Sequence, residues 1–512
     1  HTPPMLLNHK VKEHDKLVAL LKELKSEGKS VVHSHGVFDL LHVGHIRHFE
    51  EAKTMGDVLV VTVTCDEHVN KGPQRPAFSQ DLRAEAVAAL SVVDYVAINH
   101  WPLAVEAIKL LNPDVYVKGS DYQDRHKDIT GGIITEEAAV AAVGGVIRFT
   151  GDITFSSSAL LNKHLSPFPT ETNQYLEDFR QRYSSGDVLS WLDQVRPLNP
   201  LVVGEAIIDE YHFTNGIGKA TKDPIVAVLH DRMETYAGGT LAIANHLAGL
   251  CDNVELVTQL GETERRENTI RDLLRPNVQP IFTTKSGAPT IHKRRIIDEY
   301  SGNKLLEIYI MDDSPTEAGD QAQLIGQIND AQSRCDLIIV ADYGHGMLTQ
   351  GSIDILCHQE HFLAVNVQTN AGNRGFNPIS KYQLADFVCL AGHEIEIETR
   401  TRDTNMEEGT REILKRIDCS RVLVTVGPDG ILHYDAIAGF TNAMALASHV
   451  LDKVGAGDAV LAVTSLLEKV GAPTDIIGFI GNVAGAHVVA TLGNAVPLDR
   501  VTLSRHITSL LK

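Results

Sequence analysis

Two histidines three residues apart, His42 and His45, have the residue type and spacing for phosphate chemistry. They end the stretch Gly36-Val37-Phe38-Asp39-Leu40-Leu41-His42-Val43-Gly44-His45, which follows an apolar run and opens an amphipathic segment. This order predicts a strand, a tight loop and the first turn of a helix, where unpaired N–H groups and the helix dipole favour an anion. A lone His-x-x-His is more often two satisfied histidines, but the complete stretch is informative. It predicts stabilisation of the charge that builds on an α-phosphate during nucleotidyl transfer.

A second group of residues, near the carboxyl terminus, suits phosphoryl transfer to a hydroxyl. Gly455-Ala456-Gly457-Asp458 precedes an apolar segment with helical character. Small residues allow consecutive backbone N–H groups to point at a phosphate, and Asp458 can take a proton from an attacking hydroxyl. Gly-x-Gly-Asp alone is a common turn. Here Thr425-x-Gly427-Pro428-Asp429-Gly430 and Ala237-Gly238-Gly239 accompany it, which favours a phosphate site.

Further polar residues in the N-terminal third follow predicted strands or precede a predicted helix. Side chains at the carboxyl ends of parallel strands are placed to meet a ribose, a base or a phosphate. A hydroxyl-rich stretch before an apolar segment is typical of a helix N-cap facing an anion. Each residue alone is equally well explained by a turn, a cap or a solvated charge, but with the paired histidines they predict a nucleoside triphosphate site. They are Asp66, Lys71, Lys118, Asp121, Ser156 and Ser157.

The composition is that of a globular protein without membrane spans or a disulfide framework. Of the 512 residues, 43% are apolar and 22% charged, and no apolar run approaches the roughly 18 residues of a membrane span. The six cysteines show no C-x-x-C spacing, and the first residues have no charged-then-apolar signal pattern. The net charge of −20 argues against general binding of nucleic acid, which needs a basic face. We therefore expect a cytoplasmic protein that acts on small molecules, with no nucleic acid and no membrane as partner.

Alternating apolar runs and helical patterns predict two α/β units joined by a linker. Residues 28–165 form the first unit, with a parallel sheet whose ligands lie at the carboxyl ends of its strands. Residues 166–198 are rich in breakers and polar residues and are expected to be the linker. Residues 199–512 form the second unit, in which Val226–Val228 and Leu305–Ile310 are expected to be antiparallel strands of a small lid. The strands predicted in the first unit are Val58–Thr64, Tyr95–Ile98, Val115–Val117 and Val146–Phe149.

The first unit resembles the cytidylyltransferase-type nucleotidyltransferases, and most closely the transferase domain of the bifunctional heptose-phosphate enzymes. The resemblance covers residues 30–165 and rests on the histidine stretch, on Lys118-Gly119-x-Asp121-Tyr122 and on the serine-rich end. It implies a Rossmann-like domain that transfers a nucleotidyl group from ATP or CTP to a sugar 1-phosphate, with Mg²⁺ and release of pyrophosphate. His42, His45 and Lys118 would be catalytic. The resemblance implies nucleotide contacts at Gly36, Val37, Phe38, Asp66, Lys71, Ser156 and Ser157, and substrate contacts at Asp39 and Asp121.

The second unit resembles the ribokinase-like (PfkB) sugar kinases over its whole length, and again the heptose kinase half of the bifunctional family. Besides the glycine motifs, the resemblance rests on Asp342-Tyr343-Gly344-His345-Gly346 and Pro289–Arg295. It implies a ribokinase-like α/β domain with a β lid, using ATP and Mg²⁺, and a homodimer formed through the lid. Asp458 would be the general base. Implied nucleotide contacts are Thr425, Gly427, Gly430, Gly455, Ala456 and Gly457; implied substrate contacts are Asp209, Gly238, Gly239, Lys293 and Arg295; Glu394 would lie near the metal.

Several positions depart from the kinase pattern. Ala242 stands where the sugar-binding asparagine belongs, with Asn245 nearby but out of register, and Ala391 replaces the asparagine of Asn-x-x-Glu. Glu205 and Asn366 stand where aspartate is common. Losing an amide that binds a hydroxyl changes which sugar fits. The domain order is also the reverse of the familiar bifunctional enzyme, with the transferase first.

Two interpretations stay open from the sequence. One is a bifunctional enzyme of nucleotide-sugar biosynthesis, whose kinase phosphorylates a sugar or sugar phosphate and whose transferase activates the 1-phosphate. The other is a polyol-phosphate cytidylyltransferase fused to a degenerate kinase that acts as a sensor or dimerisation module. Phe155-Ser156-Ser157-Ser158 lacks the arginine and glycine typical of the polyol-phosphate enzymes. The identity of the sugar, and ATP or CTP for the transferase, are left undecided.

Overall fold

The computed structural model describes residues 9–69, 75–119, 132–151 and 166–512. Lys71, Asp121, Ser156 and Ser157, expected above to be site residues, lie outside this part of the chain. The described chain forms two compact units. The first contains the residues up to Pro167 together with Ser504–Lys512, and the second contains Phe168–Leu503.

The first unit is built on a five-stranded parallel sheet with strand order β3-β2-β1-β4-β5. Every residue of β2 is buried, as expected for a central strand covered by helices on both faces. The order reverses between β1 and β4, and the crevice at their carboxyl ends is where such sheets bind ligands. The elements are α1 His14–Ser26, β1 Val31–Gly36, α2 Val43–Lys53, β2 Val58–Thr64, α3 Gln80–Ala88, β3 Tyr95–Asn99, α4 Val105–Leu111, β4 Val115–Gly119, α5 Gly132–Ala142 and β5 Val146–Thr150.

The first unit begins earlier in the chain than the sequence predicted. Helix α1 lies before residue 28, and its Leu17 and Leu21 are buried in one cluster with Val31 and Val60 of the sheet. Their spacing of four residues places both side chains on one helix face. The helix is therefore part of the core of this unit.

The second unit contains a nine-stranded sheet and a separate four-stranded sheet. The large sheet has the order β10-β9-β6-β13-β14-β15-β16-β17-β18, parallel from β10 to β16 and antiparallel at β17 and β18. The small sheet has the order β12-β11-β7-β8. The strands are β6 Pro200–Gly204, β7 Ala206–Lys219, β8 Val226–Gly239, β9 Val254–Thr263, β10 Val278–Pro289, β11 His292–Asp298, β12 Lys304–Ile310, β13 Leu337–Asp342, β14 Phe362–Val367, β15 Phe387–Ala391, β16 Arg421–Thr425, β17 Ile431–Asp435 and β18 Gly439–Ala443.

The remaining helices lie after residue 166, and several of them begin just after the carboxyl end of a strand of the large sheet. They are α6 Thr170–Arg182, α7 Ser185–Val195, α8 Thr240–Ala248, α9 Glu267–Leu273, α10 Ala318–Gln332, α11 Gln350–Cys357, α12 Gly392–Thr399, α13 Met406–Leu414, α14 Ala456–Lys469, α15 Thr474–Val489 and α16 Arg500–Leu510. The predicted α/β class with two sheet-containing units and a β lid is confirmed. None of the described helices is long and apolar enough to cross a membrane.

Residues 166–198, predicted to be a linker, contain two packed helices. Phe179 of α6 is fully buried and its ring stacks on Phe479 of α15 at 4.3 Å between centroids. Val188 and Leu192 of α7 are also buried. Most of this segment is therefore part of the second unit.

Candidate functional site

The paired histidines lie at the first turn of α2, as the sequence predicted. His42 is the N-cap residue, and its Nδ1 accepts a hydrogen bond of 3.1 Å from the N–H of Gly44. The rings of His42 and His45 stack with centroids 3.9 Å apart. Burial lowers the pKa of His42, so the ring is neutral at pH 7 with its proton on Nε2. Both rings thus lie at the start of a helix, where the helix dipole favours an anion.

The loop between β1 and α2 has a strained backbone that is held from two sides. Phe38 and Leu40 have positive φ angles of 49° and 52°, which cost roughly 1 kcal/mol or more each in non-glycine residues. The Phe38 ring is buried against Phe49 at 4.9 Å and meets the His45 ring edge-on at 5.5 Å. Asp39, expected to bind substrate, is 3% exposed. Its carboxylate accepts hydrogen bonds from the backbone N–H groups of Ala77 and Phe78. In this structure it joins two loops.

A buried arginine that the sequence analysis missed connects the same loops. Arg83 of α3 is 1% exposed and donates to the carbonyls of Val37, Thr64 and Phe78 and to the carboxylate of Asp66 at 2.5–2.9 Å. Asp66 is therefore paired with this guanidinium. The signal in the sequence was an arginine on the apolar face of the predicted helix, next to alanine and valine.

Lys118, at the end of β4, lies among neutral histidines. Its Nζ is 2.8 Å from a carboxylate oxygen of Glu136 on α5, and both side chains are nearly buried. Burial, with Lys118 as the next contribution, lowers the pKa of His33 to about 3 and that of His48 to about 4, and holds the pKa of His35 well below its usual value. The strand side chains Thr62, Ser34 and Thr150 bind these rings. Lys118 thus forms a nearly buried ion pair with Glu136 beside these neutral rings.

The second unit has Asp458 on the first turn of α14. Gly455 is the N-cap residue with φ of +83°, and a Cβ there would lie 1.8 Å from Oδ1 of Asn494, so this position requires glycine. The hydroxyl of Tyr343 donates a 2.8 Å hydrogen bond to the Asp458 carboxylate. Burial raises the pKa of Asp458 to about 7; Tyr343 and Lys293 act in the opposite direction. A carboxylate that titrates near neutrality is suited to general base catalysis.

Most of the predicted substrate residues of the second unit lie on the small sheet, around the ion pair of Arg295 with Asp209. Arg295 Nη1 lies 2.5 Å from Asp209 Oδ1, and its Nη2 lies 2.8 Å from Glu307. Lys293 Nζ lies 4.7 Å from the centre of the Tyr309 ring. A Cβ at Gly238 would be 2.4 Å from Asp209 Oδ2, which explains why glycine is needed beside this carboxylate. Burial lowers the pKa of Lys293, and the charges of Asp209 and Asp458 partly oppose this shift. Asp458 therefore shares its electrostatic environment with Lys293 and Asp209.

The loop after β13 is held by Glu205, the residue that replaces the usual aspartate. Its two carboxylate oxygens accept hydrogen bonds of 3.0 Å from the N–H groups of Tyr343 and His345. Burial, followed by the neighbouring Asp342, raises the pKa of Glu205 to about 7. The longer side chain therefore orients the loop that carries Tyr343. The motif around Tyr343 was recognised from sequence, but its bond to Asp458 was not.

The predicted nucleotide loop lies between β16 and β17. Gly427 and Gly430 have positive φ angles, and a Cβ at Gly430 would meet the carbonyl of Ala443 at 2.1 Å. A pocket of about 250 Å³ opens beside this turn. Its lining combines apolar side chains with two amides and two carboxylates, a mixture that can hold the apolar faces and the polar edges of a base. The lining residues are Asn405, Met406, Glu407, Val426, Asp429, Ile431, Leu432 and Asn442.

The positions that depart from the kinase pattern have structural consequences. Ala242 is buried, and Asn245 cannot substitute for the missing amide because it binds the carbonyl of Leu273 and the N–H of Arg275. Glu394 is buried and accepts hydrogen bonds from the N–H groups of Ala391 and Thr369. Burial raises its pKa to about 7.

Comparison with known families agrees with the two units. Residues 199–500 match the family described as "pfkB family carbohydrate kinase". The chain belongs to the pfkB family of carbohydrate kinases. Residues 34–144 match the family described as "Cytidylyltransferase-like", so this pfkB-family chain also carries a cytidylyltransferase-like domain, in the order that the sequence predicted.

Similar proteins match mainly the N-terminal region. The "Bifunctional protein HldE" of Aliarcobacter butzleri is 42% identical over 132 residues, which are 25% of this chain and 27% of that protein. That of Citrifermentans bemidjiense is 36% identical over 163 residues, 31% of this chain and 32% of that protein. The chain thus spans about a quarter to a third of the length of the curated relatives it matches. A phosphofructokinase-2 variant from Escherichia coli covers 62% of this chain and all of its own at 16% identity and a TM-score of 0.50, which supports the fold of the second unit.

Proposed function

We propose that the second unit is an active sugar kinase. The observation that carries this proposal is the position of Asp458, on the first turn of α14 with a pKa of about 7 and a hydrogen bond from Tyr343. Asp458 takes the proton of an acceptor hydroxyl, whose oxygen attacks the γ-phosphorus of ATP while the bond to the β-phosphate oxygen breaks and ADP leaves. The N–H groups that begin α14 at Gly455, Ala456 and Gly457 face the transferring phosphoryl group.

The chain's own residues position the two substrates. Asp209, Arg295 and Lys293, with the close backbone at Gly238 and Gly239, bind the acceptor sugar. Thr425, Gly427 and Gly430 with the adjacent pocket bind the nucleotide. Glu394 offers hard carboxylate oxygens that fit Mg²⁺, since each oxygen accepts only one backbone N–H. When bound with ATP, Mg²⁺ neutralises phosphate charge.

We propose that the first unit transfers a nucleotidyl group to the sugar 1-phosphate made by the second. A phosphate oxygen of the sugar 1-phosphate attacks the α-phosphorus of ATP or CTP, and pyrophosphate leaves. His42 and His45 stabilise the charge on the α-phosphate, with the dipole of α2 behind them. Lys118, Asp66 and Asp39 are the remaining described polar residues proposed for this site. Gly36, Val37 and Phe38 are its proposed nucleotide loop.

The resemblance to the bifunctional heptose-phosphate enzymes favours a heptose or heptose phosphate as the acceptor. The reaction belongs in the cytoplasm, where nucleoside triphosphates are made. We also propose a homodimer formed through the small sheet. Exposed apolar side chains on β8 and β12, among them Val226, Leu229 and Leu306, support this assembly. Light scattering of the purified protein tests it.

One observation favours the alternative of a degenerate kinase fused to a transferase. The amide expected at Ala242 is missing, and Asn245 is committed to the loop after α9. The experiment that separates the two functions incubates the full chain with Mg²⁺, ATP or CTP and a panel of C5–C7 sugars, their phosphates and polyol phosphates. Production of ADP with a sugar and of pyrophosphate with a sugar 1-phosphate supports the bifunctional enzyme. Pyrophosphate with a polyol phosphate, and no ADP with any sugar, supports the alternative.

A further inference from the structure

The loop after β13 contains a buried histidine whose hydrogen-bonding atoms are not satisfied. His345 is 1% exposed, and neither of its ring nitrogens has a hydrogen-bond partner among the residues that the structure describes. Buried polar atoms in native proteins almost always have a partner in the protein, in water or in a ligand. The imidazole of His345 therefore requires a partner from outside the described protein.

The position of the ring relates it to the acceptor side of the kinase site. Tyr309 contacts both the His345 ring, at 6.4 Å between centroids, and the Nζ of Lys293, at 4.7 Å from its own centroid. The same loop carries Tyr343, which donates to Asp458. His345 is therefore a neighbour of Lys293, and Asp458 is a further charge that acts on the same lysine.

The surrounding backbone fixes the ring in this orientation. Glu205 accepts the N–H of His345 at 3.0 Å, and the flanking Gly344 and Gly346 have positive φ angles. A Cβ at Gly372 would lie 3.3 Å from Cε1 of His345, so the ring packs closely on this backbone. The loop that carries the ring is therefore held by Glu205 and packed against the backbone at Gly372.

The charge state of His345 selects the kind of ligand. Burial, followed by Lys293 and Lys285, lowers its pKa to about 3. A neutral imidazole has one donor and one acceptor, and both ring nitrogens of His345 need a partner. Hydroxyl groups can satisfy both nitrogens, whereas phosphate oxygens, which only accept, can satisfy the donor alone. The neighbouring lysines supply the positive charge.

We propose that His345 hydrogen-bonds hydroxyl groups of the acceptor sugar and determines which sugar the kinase accepts. This role deepens the proposed kinase function and rests on it. It also supplies a polar contact in a site that lacks the amide at Ala242. Hydroxyl recognition by buried polar groups discriminates strongly, since an analogue without the hydroxyl leaves those groups unpaired.

The test compares the full-length wild type with two variants. His345→Phe keeps an aromatic ring without its polar nitrogens, and His345→Gln supplies an amide that can donate and accept hydrogen bonds. His358→Phe, at an exposed histidine after α11, is the matched control. Each protein is assayed for ADP production with the best acceptor from the sugar panel and with its monodeoxy analogues. We expect His345→Phe to raise the KM for the acceptor by about 10- to 100-fold, with the KM for ATP unchanged, and His345→Gln to recover part of the loss.

The deoxy analogues separate recognition from a structural effect. Wild type should lose about 10-fold or more in kcat/KM for at least one analogue, and His345→Phe should not lose further for that same analogue. If His345→Phe keeps the wild-type penalty for every analogue, or raises the KM for ATP equally, the proposed role of His345 is overturned while the kinase stands. If wild type produces no ADP with any acceptor, the kinase proposal fails and the role of His345 fails with it.

Discussion

Replacing Tyr343 by phenylalanine should shift the pH dependence of the kinase. The Tyr343 hydroxyl donates 2.8 Å to Asp458 and favours its ionised form against the burial that raises its pKa to about 7. A hydrogen bond to a charged group contributes roughly 1.5–3 kcal/mol, and one pKa unit corresponds to about 1.4 kcal/mol. Tyr343→Phe should therefore raise the pKa of Asp458 by about 1–2 units.

The direction of the effect on activity follows from the role of the base. A general base works when deprotonated, so activity is present above its pKa and is lost as the pH falls through it. With a pKa of about 7, half of the carboxylate is ionised at pH 7; with a pKa of about 8–9, roughly 1–10% is ionised. The variant should lose about 5- to 50-fold in kcat/KM at pH 7 and recover near pH 9.5.

The assay measures ADP production between pH 5.5 and 9.5 and fits the acidic limb of kcat/KM. Tyr382→Phe is the matched control, because the hydroxyl of Tyr382 donates 2.7 Å to Asp342, a different buried carboxylate at the end of β13. Its acidic limb should coincide with that of the wild type. An acidic limb of Tyr343→Phe that stays in place, or moves to lower pH, would refute Asp458 as the base stabilised by this bond.

Three further substitutions test the separate parts of the account. His45→Ala should lower pyrophosphate release by about 100-fold or more and leave ADP production within about twofold, whereas loss of both in a folded protein contradicts independent sites. Asp458→Asn should lower ADP production by about 100- to 10,000-fold. Because burial raises the pKa of Asp458 to about 7, the folded wild type loses stability as the pH rises from about 4 to 7. Denaturant unfolding should therefore show Asp458→Asn gaining up to about 4 kcal/mol relative to wild type between pH 4 and 8, and parallel stability curves of the two proteins would contradict the raised pKa. Arg83→Met, which leaves buried carbonyls unpaired, should lower the stability of β1 and β2 by about 2–4 kcal/mol in hydrogen exchange, and unchanged protection would show that the arginine does not hold the loops.

The strands and the phosphate motifs could be predicted because their signals are local. Val58–Thr64 is a run of β-branched residues interrupted only by Leu59, and the structure has a strand with those bounds. Gly455 and Asp458 belong to a motif that begins helix α14, so its conformation depends mainly on neighbouring residues in the chain. Of the two predicted lid strands, Leu305–Ile310 agrees with β12 to within one residue, whereas Val226–Val228 is much shorter than β8. The sequence of β8 alternates poorly between apolar and polar residues over its exposed part.

The contacts that define the sites could not be predicted because they join distant segments. Tyr343 and Asp458 are 115 positions apart, and their hydrogen bond depends on where two strand ends meet. The sequence shows Glu205 in place of the usual aspartate, but it does not show that the Glu205 carboxylate binds the backbone of the loop that carries His345. The unpaired nitrogens of His345 appear only when the burial around the loop is known.

The central claim is that one chain makes a sugar 1-phosphate and then activates it. The most direct measurement supplies ATP labelled in its γ-phosphate, unlabelled CTP and the acceptor sugar, and follows the label by mass spectrometry. We expect the label to enter the sugar 1-phosphate and then the phosphate next to the sugar in a nucleotide sugar, with release of pyrophosphate. Label that never enters a sugar phosphate, or a labelled sugar 1-phosphate that no added triphosphate converts, would contradict it.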